Sequence, residues 1–546
     1  MKENIQEEII RLIKESLGTL GIDPSLTGEL RLDFPQDLKF GDFSTNIAMR
    51  LSKPLKAPAA EIALKVLSAV RAGLEKSELK GHIKEVRAEG AGFINFYLSD
   101  KYLYLGLKEI LKKGSGALRL NIGKGKPVLI EFVSANPTGS LSVAHARQAA
   151  VGDALANILE FLGFKAKKEY YLNDEGNQID ILGKSVALRI KELAGEKTEE
   201  LPENYYQGGY IYDIAREALK QGKLPGDLGG FAAGHILAII KQELDDFGVK
   251  FDYWYSQKEL GKSGKIEKAL GLLKKKGFLY EKDGASWFKS TAFGDDKDRV
   301  VVKSDGSYTY LAPDIAYHDD KYKRGFEWLI NLWGPDHHGY IGRLKASVEA
   351  LGRDPGSLSI LIVQLATIFR GGKPVQMSTR RGEYITLREV LEEVGRDAAR
   401  FFFMSRRIFS HLDFDLDIAK KQTSENPVYY VQYAYARIYS IIRNSGIKLD
   451  KNADLTLLKE GEEMVLIKKL LQFLYILNVC LNTQDPYMLT VYLQELAEAF
   501  HKFYDLHRVL TENEPLTKAR LALIEGARIV FAAGLVLLGI SCPEKM

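Results

Sequence analysis

The alternation of apolar and polar positions changes character twice along the chain. Helical segments alternate with short strands over residues 1–115, and short apolar strands alternate with helices over residues 120–416. From residue 426 to residue 546, every long segment repeats its apolar positions with the helical period. We therefore predict a small amino-terminal α/β module, a central domain with a doubly wound parallel sheet, and a carboxy-terminal all-helical bundle.

The central part carries its strand signals in two groups. Apolar runs at 127–133, 329–333 and 358–366 have the β-branched and aromatic content of buried strands. Residues 183–295, between the groups, are richer in lysine, glutamate and glycine, and their helical segments are charged. This contrast predicts that residues 183–295 are insertions that separate the two halves of the sheet.

Composition narrows the class of protein. A chain of 546 residues is too long for one core, and 46% hydrophobic with 27% charged residues is typical of globular proteins. No continuous run of about eighteen apolar residues occurs, and the first residues form a charged amphipathic segment, so we expect a cytoplasmic protein without a membrane partner. Two cysteines exclude a disulfide framework and a cysteine-based zinc site. A net charge of +4 is too small at this length to indicate nucleic-acid binding by itself.

The segment 131–147 reads as a strand, a turn and the start of a helix. Ser134 to Ser140 contribute asparagine, proline, threonine and glycine to the turn, and His145 falls in the first turns of the helix. Such a junction directs free backbone N–H groups and the positive end of the helix dipole at an anion, so phosphate is the expected ligand. An ordinary strand-to-helix connection fits the same pattern.

Four further polar clusters follow predicted strands or stand in loops. Residues 170–178 are too polar for a strand interior, and Tyr310 with Asp314 is spaced to share one pocket that suits a cation. A strand runs into Gly334–His338, and Lys373 to Gly382 form a basic loop ahead of a helix that begins near Thr386. The paired histidines can also be structural or capping residues, and the basic loop can be plain surface. Zinc at the two histidines is disfavoured, because no third metal ligand lies at helical spacing from them.

These blocks, in this order, resemble class I aminoacyl-tRNA synthetases and specifically the arginyl-tRNA synthetase family. The resemblance implies a module that contacts the tRNA elbow, a Rossmann-type catalytic domain with insertions, and an anticodon-binding bundle. It also implies ATP with Mg²⁺, arginine and tRNA(Arg) as partners, a monomer, and no structural metal. The resemblance rests on SANPTG at 134–139, YYLNDEGNQIDILG at 170–183, TYLAPDIAYHDDKYKRGFEWLINLWGPDHHGYIGRLKA from Thr309, LDFDLDIAKKQTSENPVYYVQYAYARI from Leu412, and the tail from HKFYDLHRVL to LLGISCPEKM.

The resemblance also implies roles for individual residues. Arginine, whose guanidinium offers only donors, would be bound by Glu131, Ser134, Asn136, Asp174, Gln178, Tyr310, Asp314 and Asp336. ATP would be bound by Thr138, Gly139, Ser142, Ala144, His145, Gly334, Asp336, His337, Gln376, Met377 and Ser378. The catalytic set would be Ser142, His145, Ser378, Arg380 and Arg381. Unpaired tRNA bases would meet Tyr429, Tyr433 and Arg437, although the tyrosines also suit a helix core.

Both family signatures differ here from their usual form. The first, usually His-x-Gly-His, reads Ser-Val-Ala-His at 142–145, so one imidazole is absent and a methyl group stands where adenine packs against glycine. The second, usually Lys-Met-Ser-Lys-Arg, reads Gln-Met-Ser-Thr-Arg at 376–380, so two ammonium groups that would face pyrophosphate are absent. Gly139 stands where some members that lack the second signature carry lysine. We expect weaker ATP activation, with Lys373, Arg380 and Arg381 as substitutes.

Two hypotheses follow from this mixture of retained and altered residues. The first is an arginine-tRNA ligase in which the arginines of the second loop replace the missing lysines. The alternative is a paralogue with weakened or lost ATP activation that binds arginine or tRNA for another role. The retained arginine-binding set favours arginine binding under either hypothesis, and the tRNA-sized architecture favours tRNA binding. Of the two hypotheses, we expect the ligase.

Overall fold

The computed structural model describes residues 5–28, 30–35, 37–197, 202–221, 223–375 and 384–546. In the amino-terminal part, an antiparallel sheet in the order β1-β3-β2 packs against helices whose apolar faces repeat every three to four residues. Its elements are α1 (Ile5–Thr19), β1 (Phe43–Thr45), α2 (Ile47–Leu55), α3 (Ala59–Leu74), β2 (Ile83–Glu89), β3 (Phe93–Leu98) and α4 (Asp100–Lys113).

The central part combines five parallel strands with helices and two small sheets. Its strands are β4 (Pro127–Glu131), β5 (Lys165–Leu172), β6 (Tyr253–Ser256), β7 (Leu279–Lys282), β8 (Ala285–Phe288), β9 (Arg299–Val302), β10 (Trp328–Trp333), β11 (Leu358–Ile362), β12 (Ala366–Arg370), β13 (Lys373–Pro374) and β14 (Leu412–Asp415). Its helices are α5 (Val143–Phe161), α6 (Asn177–Leu193), α7 (Tyr210–Lys220), α8 (Leu228–Asp246), α9 (Gln257–Lys262), α10 (Lys265–Lys275), α11 (Leu311–Lys323), α12 (Ile341–Ala350), α13 (Leu387–Phe403) and α14 (Leu416–Lys420).

The main sheet is parallel throughout, in the order β11-β10-β4-β5-β6. The chain passes from β4 through α5 to β5 on one side, whereas β10 pairs with the other side of β4. The strand order therefore reverses between β4 and β10. Open α/β sheets bind ligands outside the carboxyl ends of the strands at such a reversal. The predicted doubly wound parallel sheet is confirmed, and its topology selects the ends of β4 and β10 as the candidate site.

The residues predicted as insertions form two additions to the main sheet. Helices α6, α7 and α8 pack on one another between β5 and β6, and a second addition with α9, α10 and the antiparallel sheet β7-β8-β9 follows β6. Strand β6, which lies within 183–295, is an edge strand of the main sheet and pairs with β5. Its four residues, Tyr-Trp-Tyr-Ser, are all partly or fully exposed, so they lack the apolar signal of a buried strand.

The carboxy-terminal part is helical in its described elements, as predicted. The Asn426 side chain accepts hydrogen bonds from the first turn of one helix, and Pro427 stands at the first helical position, which together set its start. Asn513 caps the last helix in the same way. The helices are α15 (Pro427–Asn444), α16 (Gly461–Thr483), α17 (Tyr487–Leu506) and α18 (Glu514–Leu537).

Helix α16 lies among helices from all three parts of the chain. It packs against α4, α5, α17 and α18. Among the described residues it is the one helix long and apolar enough, by length and composition, to cross a membrane. Its contacts on several sides account for that apolar character, because a helix surrounded by others needs little polar surface.

A buried charge cluster joins the central part of the chain to the last helix. The Arg400 guanidinium is fully buried and donates to Asp153 Oδ2 on α5 (2.6 Å), to the Leu538 carbonyl after α18 (2.8 Å) and to the Phe247 carbonyl after α8 (3.2 Å). Lys168 Nζ donates to the other oxygen of Asp153 at 2.8 Å. Although burial acts to raise the pKa of Asp153, the two cations hold it below its ordinary value. We call Arg400, Asp153 and Lys168 the domain-joining cluster.

Candidate functional site

The turn after β4 is built on unusual backbone angles. The sequence pattern predicted a strand to Val133, but β4 ends at Glu131, and Val133 and Ser134 have φ of 69° and 41°. This left-handed pair, which is costly for residues with a β-carbon, turns the chain back over the strand end. The Ser134 hydroxyl then donates to Glu131 Oε1 (3.2 Å) and accepts from the Tyr171 amide (3.1 Å). The strained turn places Glu131 and Ser134 side by side at the end of the sheet.

Glu131 is buried and paired with a lysine that sequence reasoning did not single out. Lys321 Nζ, on α11, lies 2.5 Å from Glu131 Oε2 and 3.2 Å from Asn331 Oδ1 on β10. The Lys321 side chain is fully buried. Its sequence context, Asp-Asp-Lys-Tyr-Lys-Arg, is typical of a solvated helix face. The available signal was its helical spacing from Asp314, Tyr317 and His318, which puts all four near one face of α11.

Asp314 lies in the first turn of α11, close to the Tyr340 phenol. Burial raises the pKa of its carboxyl to about 7, which the neighbouring Glu131 reinforces and Tyr340 opposes. Tyr310, by contrast, is 80% exposed. Tyr310 stands at the amino-terminal cap of α11 with helical backbone angles, and its ring extends into solvent. That Tyr310 and Asp314 share one pocket around a bound cation stays a prediction.

The polar side chains after β5 make two kinds of contact, one with the turn after β4 and one with the start of α9. Asn136 Nδ2 donates to Gln178 Oε1 at 2.7 Å, so these two predicted arginine-binding residues do meet. Asp174 accepts from the Ser256 hydroxyl (2.6 Å) and the Lys258 amide (3.0 Å) and so fixes the start of α9. The neighbouring Asn173 Oδ1 is buried without a hydrogen-bond partner in the described structure. A free buried acceptor in this loop suits a ligand that brings donors.

The first-signature histidine is held by the start of its own helix. The Ser142 amide donates to His145 Nδ1 at 3.2 Å, and the Ser142 hydroxyl lies 3.1 Å from the same nitrogen. Burial lowers the pKa of His145 to about 4, so the ring is neutral at pH 7. Because Nδ1 accepts, the ring proton is assigned to Nε2. His145 therefore presents one N–H donor at the positive end of α5, and Ser142 orients that donor.

The loop before α5 is fixed from outside by residues of α7, α8 and the segment after the second signature. The amide and the carbonyl of Leu141 are both hydrogen-bonded. A β-carbon on Gly139 would lie 3.1 Å from the Tyr384 hydroxyl, so Tyr384 also lies close to this loop. The bonds run from the Tyr210 hydroxyl to the Thr138 carbonyl (2.6 Å), from the Tyr384 hydroxyl to the Ser140 carbonyl (2.9 Å), from the Leu387 amide to the Leu141 carbonyl (2.7 Å), and from the Leu141 amide to Glu243 Oε2 (3.1 Å).

The other predicted nucleotide residues stand at the second strand of the reversal. Gly334 follows β10 directly, and Asp336 and His337 occupy the short turn 335–340 with largely exposed side chains. His337 Nε2 lies 3.5 Å from Asp336 Oδ2. Ala144 is partly buried in the first turn of α5. Gln376, Met377, Ser378, Arg380 and Arg381 lie outside the described residues; the neighbouring Tyr384 is anchored to the first-signature loop.

An aromatic group on the helical domain combines the predicted tRNA residues with a histidine that the sequence did not single out. Tyr433 is 37% exposed and stacks on Tyr429, with ring centroids 6.1 Å apart, and on His501 at 5.8 Å. The Arg437 guanidinium lies over the Tyr504 ring at 4.9 Å. His501, on α17, is far from α15 in sequence, and only helix packing brings it there. We call Tyr429, Tyr433, Arg437, His501 and Tyr504 the aromatic platform.

Three family models match successive parts of the chain. An arginyl-tRNA synthetase amino-terminal domain matches residues 2–98, the catalytic domain of class I (R) tRNA synthetases matches residues 107–407, and a DALR anticodon-binding domain matches residues 431–546. The matches follow the same order as the sheet module, the parallel-sheet part and the helical bundle.

Curated proteins and a solved structure are similar over the full length. An arginine–tRNA ligase from Geobacter sp. (strain M21) is 47% identical, and one from Citrifermentans bemidjiense is 46% identical; each alignment covers 100% of both chains. The structure of Thermus thermophilus arginyl-tRNA synthetase aligns with a TM-score of 0.78 at 22% identity over 100% of both chains. That structure supports the overall architecture.

Proposed function

This chain belongs to the arginyl-tRNA synthetase family and is an arginine–tRNA ligase, and from this premise we propose how its residues divide the work. The reaction joins the arginine carboxylate to the α-phosphorus of ATP, with release of pyrophosphate. The hydroxyl of the 3′-terminal ribose of tRNA then attacks the activated carbonyl, and AMP leaves. Mg²⁺ enters with ATP as part of the substrate. Little covalent chemistry is required of the protein, so positioning and charge stabilisation carry the catalysis.

The observation that carries the proposal is the meeting of acidic and donor groups at the strand-order reversal. Glu131 and Asp314 lie close enough for each carboxylate to influence the same neighbours, and their negative charge suits the two cationic groups of arginine. The His145 Nε2–H and the start of α5 suit the phosphates of ATP. We assign the α-ammonium to the Glu131, Ser134 and Asn136 end and the guanidinium to Asp314 and Tyr340.

Two residues that were predicted to bind the substrate arginine, Asp174 and Tyr310, receive different roles in this proposal. The hydrogen bonds that Asp174 accepts from Ser256 and Lys258 hold the start of α9 in place, so we propose that Asp174 shapes the pocket through that helix. Tyr310 is exposed, so we propose that it covers the guanidinium only when arginine is present. The similarity to curated arginine–tRNA ligases over the full length gives no support to the alternative of a paralogue without ATP activation.

Arginine charging is the direct test of the proposed function. With tRNA(Arg), ATP and Mg²⁺, the purified chain is expected to attach labelled arginine to the tRNA and to require all three. Asp314→Asn keeps the shape of the side chain but removes the charge, so we expect a higher KM for arginine and an unchanged KM for ATP. The absence of charging by the unaltered chain, together with measurable arginine binding, would restore the paralogue hypothesis.

The altered first signature can be tested in the same assay. Ser142→His returns the imidazole of the usual motif, but it also removes the hydroxyl beside His145 Nδ1. A large gain in rate from this variant, alone or with Gln376→Lys, would show that the missing charges limit activation. A lower rate would show that the Ser142 hydroxyl has been incorporated into the site as a group that orients His145. An unchanged rate would show that neither the missing imidazole nor this hydroxyl limits activation.

The aromatic platform provides a separate test of tRNA binding. Tyr433→Ala is expected to raise the KM for tRNA about 5-fold to 150-fold, because one base–aromatic stack contributes about 1–3 kcal/mol. The KM for arginine should not change, because the platform lies on the helical domain. Tyr433→Phe keeps the ring and should behave like the unaltered chain. If alanine and phenylalanine weaken tRNA use equally, stacking is not the role of this residue.

A further inference from the structure

Lys321 is a fully buried cation in the middle of the candidate arginine site. Its ammonium contacts Glu131 Oε2 at 2.5 Å and Asn331 Oδ1 at 3.2 Å, and it lies 4.1 Å from the centre of the Tyr317 ring. A buried ammonium without partners would be strongly destabilising. Here an ion pair, an amide oxygen and an aromatic face surround it, so the site is built to hold a charged lysine.

A chain of hydrogen bonds continues from Lys321 to Asp314. Asn331, which accepts from Lys321, lies with Nδ2 at 2.9 Å from His318 Nε2, and His318 Nδ1 lies 2.8 Å from the Asp314 carbonyl. Burial, with Lys321 nearby, holds the pKa of His318 well below its ordinary value, so its ring is neutral. The neutral ring accepts from Asn331 at Nε2 and donates to Asp314 at Nδ1. Lys321 is thus bonded to the carboxylate of Glu131 and, through Asn331 and His318, to the backbone carbonyl of Asp314.

The charges in this pocket can be matched with those of the substrate. Glu131 and Asp314 are the two carboxylates that we assign to arginine, and the Lys321 ammonium balances Glu131. One carboxylate charge, that of Asp314, then remains. Arginine enters with a cationic α-amino group, an anionic carboxylate and a cationic guanidinium, which gives one net positive charge at neutral pH. The pocket and its substrate therefore form a neutral pair.

We propose that Lys321 is a positioning residue for arginine, which fixes Glu131 and cancels its charge so that Asp314 alone supplies the net charge that meets the guanidinium. This inference rests on the proposed assignment of Glu131 and Asp314 to arginine. Lys321 touches neither arginine nor ATP in this arrangement. It acts through the two residues that do.

The proposal gives arginine binding a defined dependence on pH. Asp314 faces Glu131 on β4, Lys321 on its own helix, Tyr340 on the turn 335–340 and Tyr171 on β5. The pKa of Asp314 is raised to about 7, chiefly by burial and with a contribution from Glu131, whereas Tyr340 and Lys321 act to lower it. The ionised form binds the guanidinium, so arginine affinity should increase as pH rises through about 7. Loss of Lys321 should move that midpoint upward, and loss of the Glu131 charge should move it downward.

The experiment measures the dissociation constant of arginine by calorimetry from about pH 6 to pH 9 on the full chain. Lys321→Met keeps the length of the side chain without its charge, and an upward midpoint shift of about one pH unit would make binding about tenfold weaker below the midpoint. The difference should vanish at high pH. Lys321→Arg should keep the midpoint of the unaltered chain, because the positive charge remains.

Glu131→Gln, alone and with Lys321→Met, completes the test. The single variant should shift the midpoint downward, and the double variant should return it towards that of the unaltered chain, because both charges are gone. A midpoint that is the same in all variants, or weakening that is independent of pH, would overturn the inference and leave Lys321 a purely structural residue. If Lys321→Met alone fails to fold, the double variant is compared with Glu131→Gln, and loss of Lys321 should still move the midpoint upward. Failure of the unaltered chain to charge tRNA would instead overturn the proposed function.

Discussion

Replacing His145 with alanine is expected to lower the rate of arginine activation about 100-fold to 1000-fold, which corresponds to roughly 3 to 4 kcal/mol. The imidazole is neutral at pH 7, because burial lowers its pKa to about 4, and its Nδ1 is engaged by the Ser142 amide. Its Nε2–H therefore needs no proton change before it stabilises charge on the phosphates. The rate is measured as arginine-dependent exchange of pyrophosphate into ATP, with tRNA present.

His145→Gln is the matched control for this prediction. The glutamine amide can place an N–H group near the former Nε2 position, so this variant should retain more activity than alanine. The dissociation constant of arginine should be unchanged in both variants, because Glu131 and Asp314 are intact. A loss smaller than about tenfold in His145→Ala would show that the start of α5 and the substrate Mg²⁺ suffice for the phosphates.

The second large effect concerns stability rather than rate. Arg400→Met is expected to lower the free energy of unfolding by about 3–5 kcal/mol, because it removes one partner from a buried ion pair. The Phe247 and Leu538 carbonyls would also lose their donor. Chemical denaturation followed by far-ultraviolet circular dichroism measures the change. Because cations hold the pKa of Asp153 below its ordinary value, the stabilisation is present at neutral pH and is lost as pH falls through that lowered pKa.

Arg396→Met is the control for Arg400→Met. Arg396 lies one turn earlier on α13 and donates to the Gly539 carbonyl at 3.2 Å, but its side chain is exposed. Solvent can replace that bond, so we expect a loss below about 1 kcal/mol. Similar losses from the two variants would mean that burial of the Arg400 guanidinium adds nothing to the junction between the domains.

The sequence alone was sufficient to predict the three-part architecture, because the periodicity and composition that mark helices and strands are local features. Helical periodicity marked the four helices after residue 426, and runs of β-branched residues marked β4, β10 and β11. The turn residues at 134–140 marked the strand end that carries the site. The family models that match the chain then fall in the same order as these predicted parts.

The sequence could not supply the connections that depend on packing. Lys321 looked like one of several surface lysines on a charged helix, and only the fold places it under β4 beside Glu131. Asp174 was predicted from its motif to bind arginine, but Ser256 on β6 and Lys258 on α9, which are distant in sequence, donate hydrogen bonds to it. Tyr310 has the correct spacing from Asp314, but its ring is exposed. For Lys321 and Asp174, a contact between elements, rather than the local pattern, determined the role.

The domain-joining cluster has a consequence for how the chain is made. Arg400 and Asp153 are synthesised well before Leu538, whose carbonyl completes the hydrogen bonds of the guanidinium. Gly539 follows, with φ of 69°, and a β-carbon there would lie 2.4 Å from the guanidinium, so the chain can close over Arg400 only with glycine at that position. During translation, the guanidinium of Arg400 therefore lacks its Leu538 acceptor until the final helix has left the ribosome. Nascent chains that stall before residue 538 should consequently be sensitive to proteases at the α13 junction, whereas chains released after Gly539 should resist them.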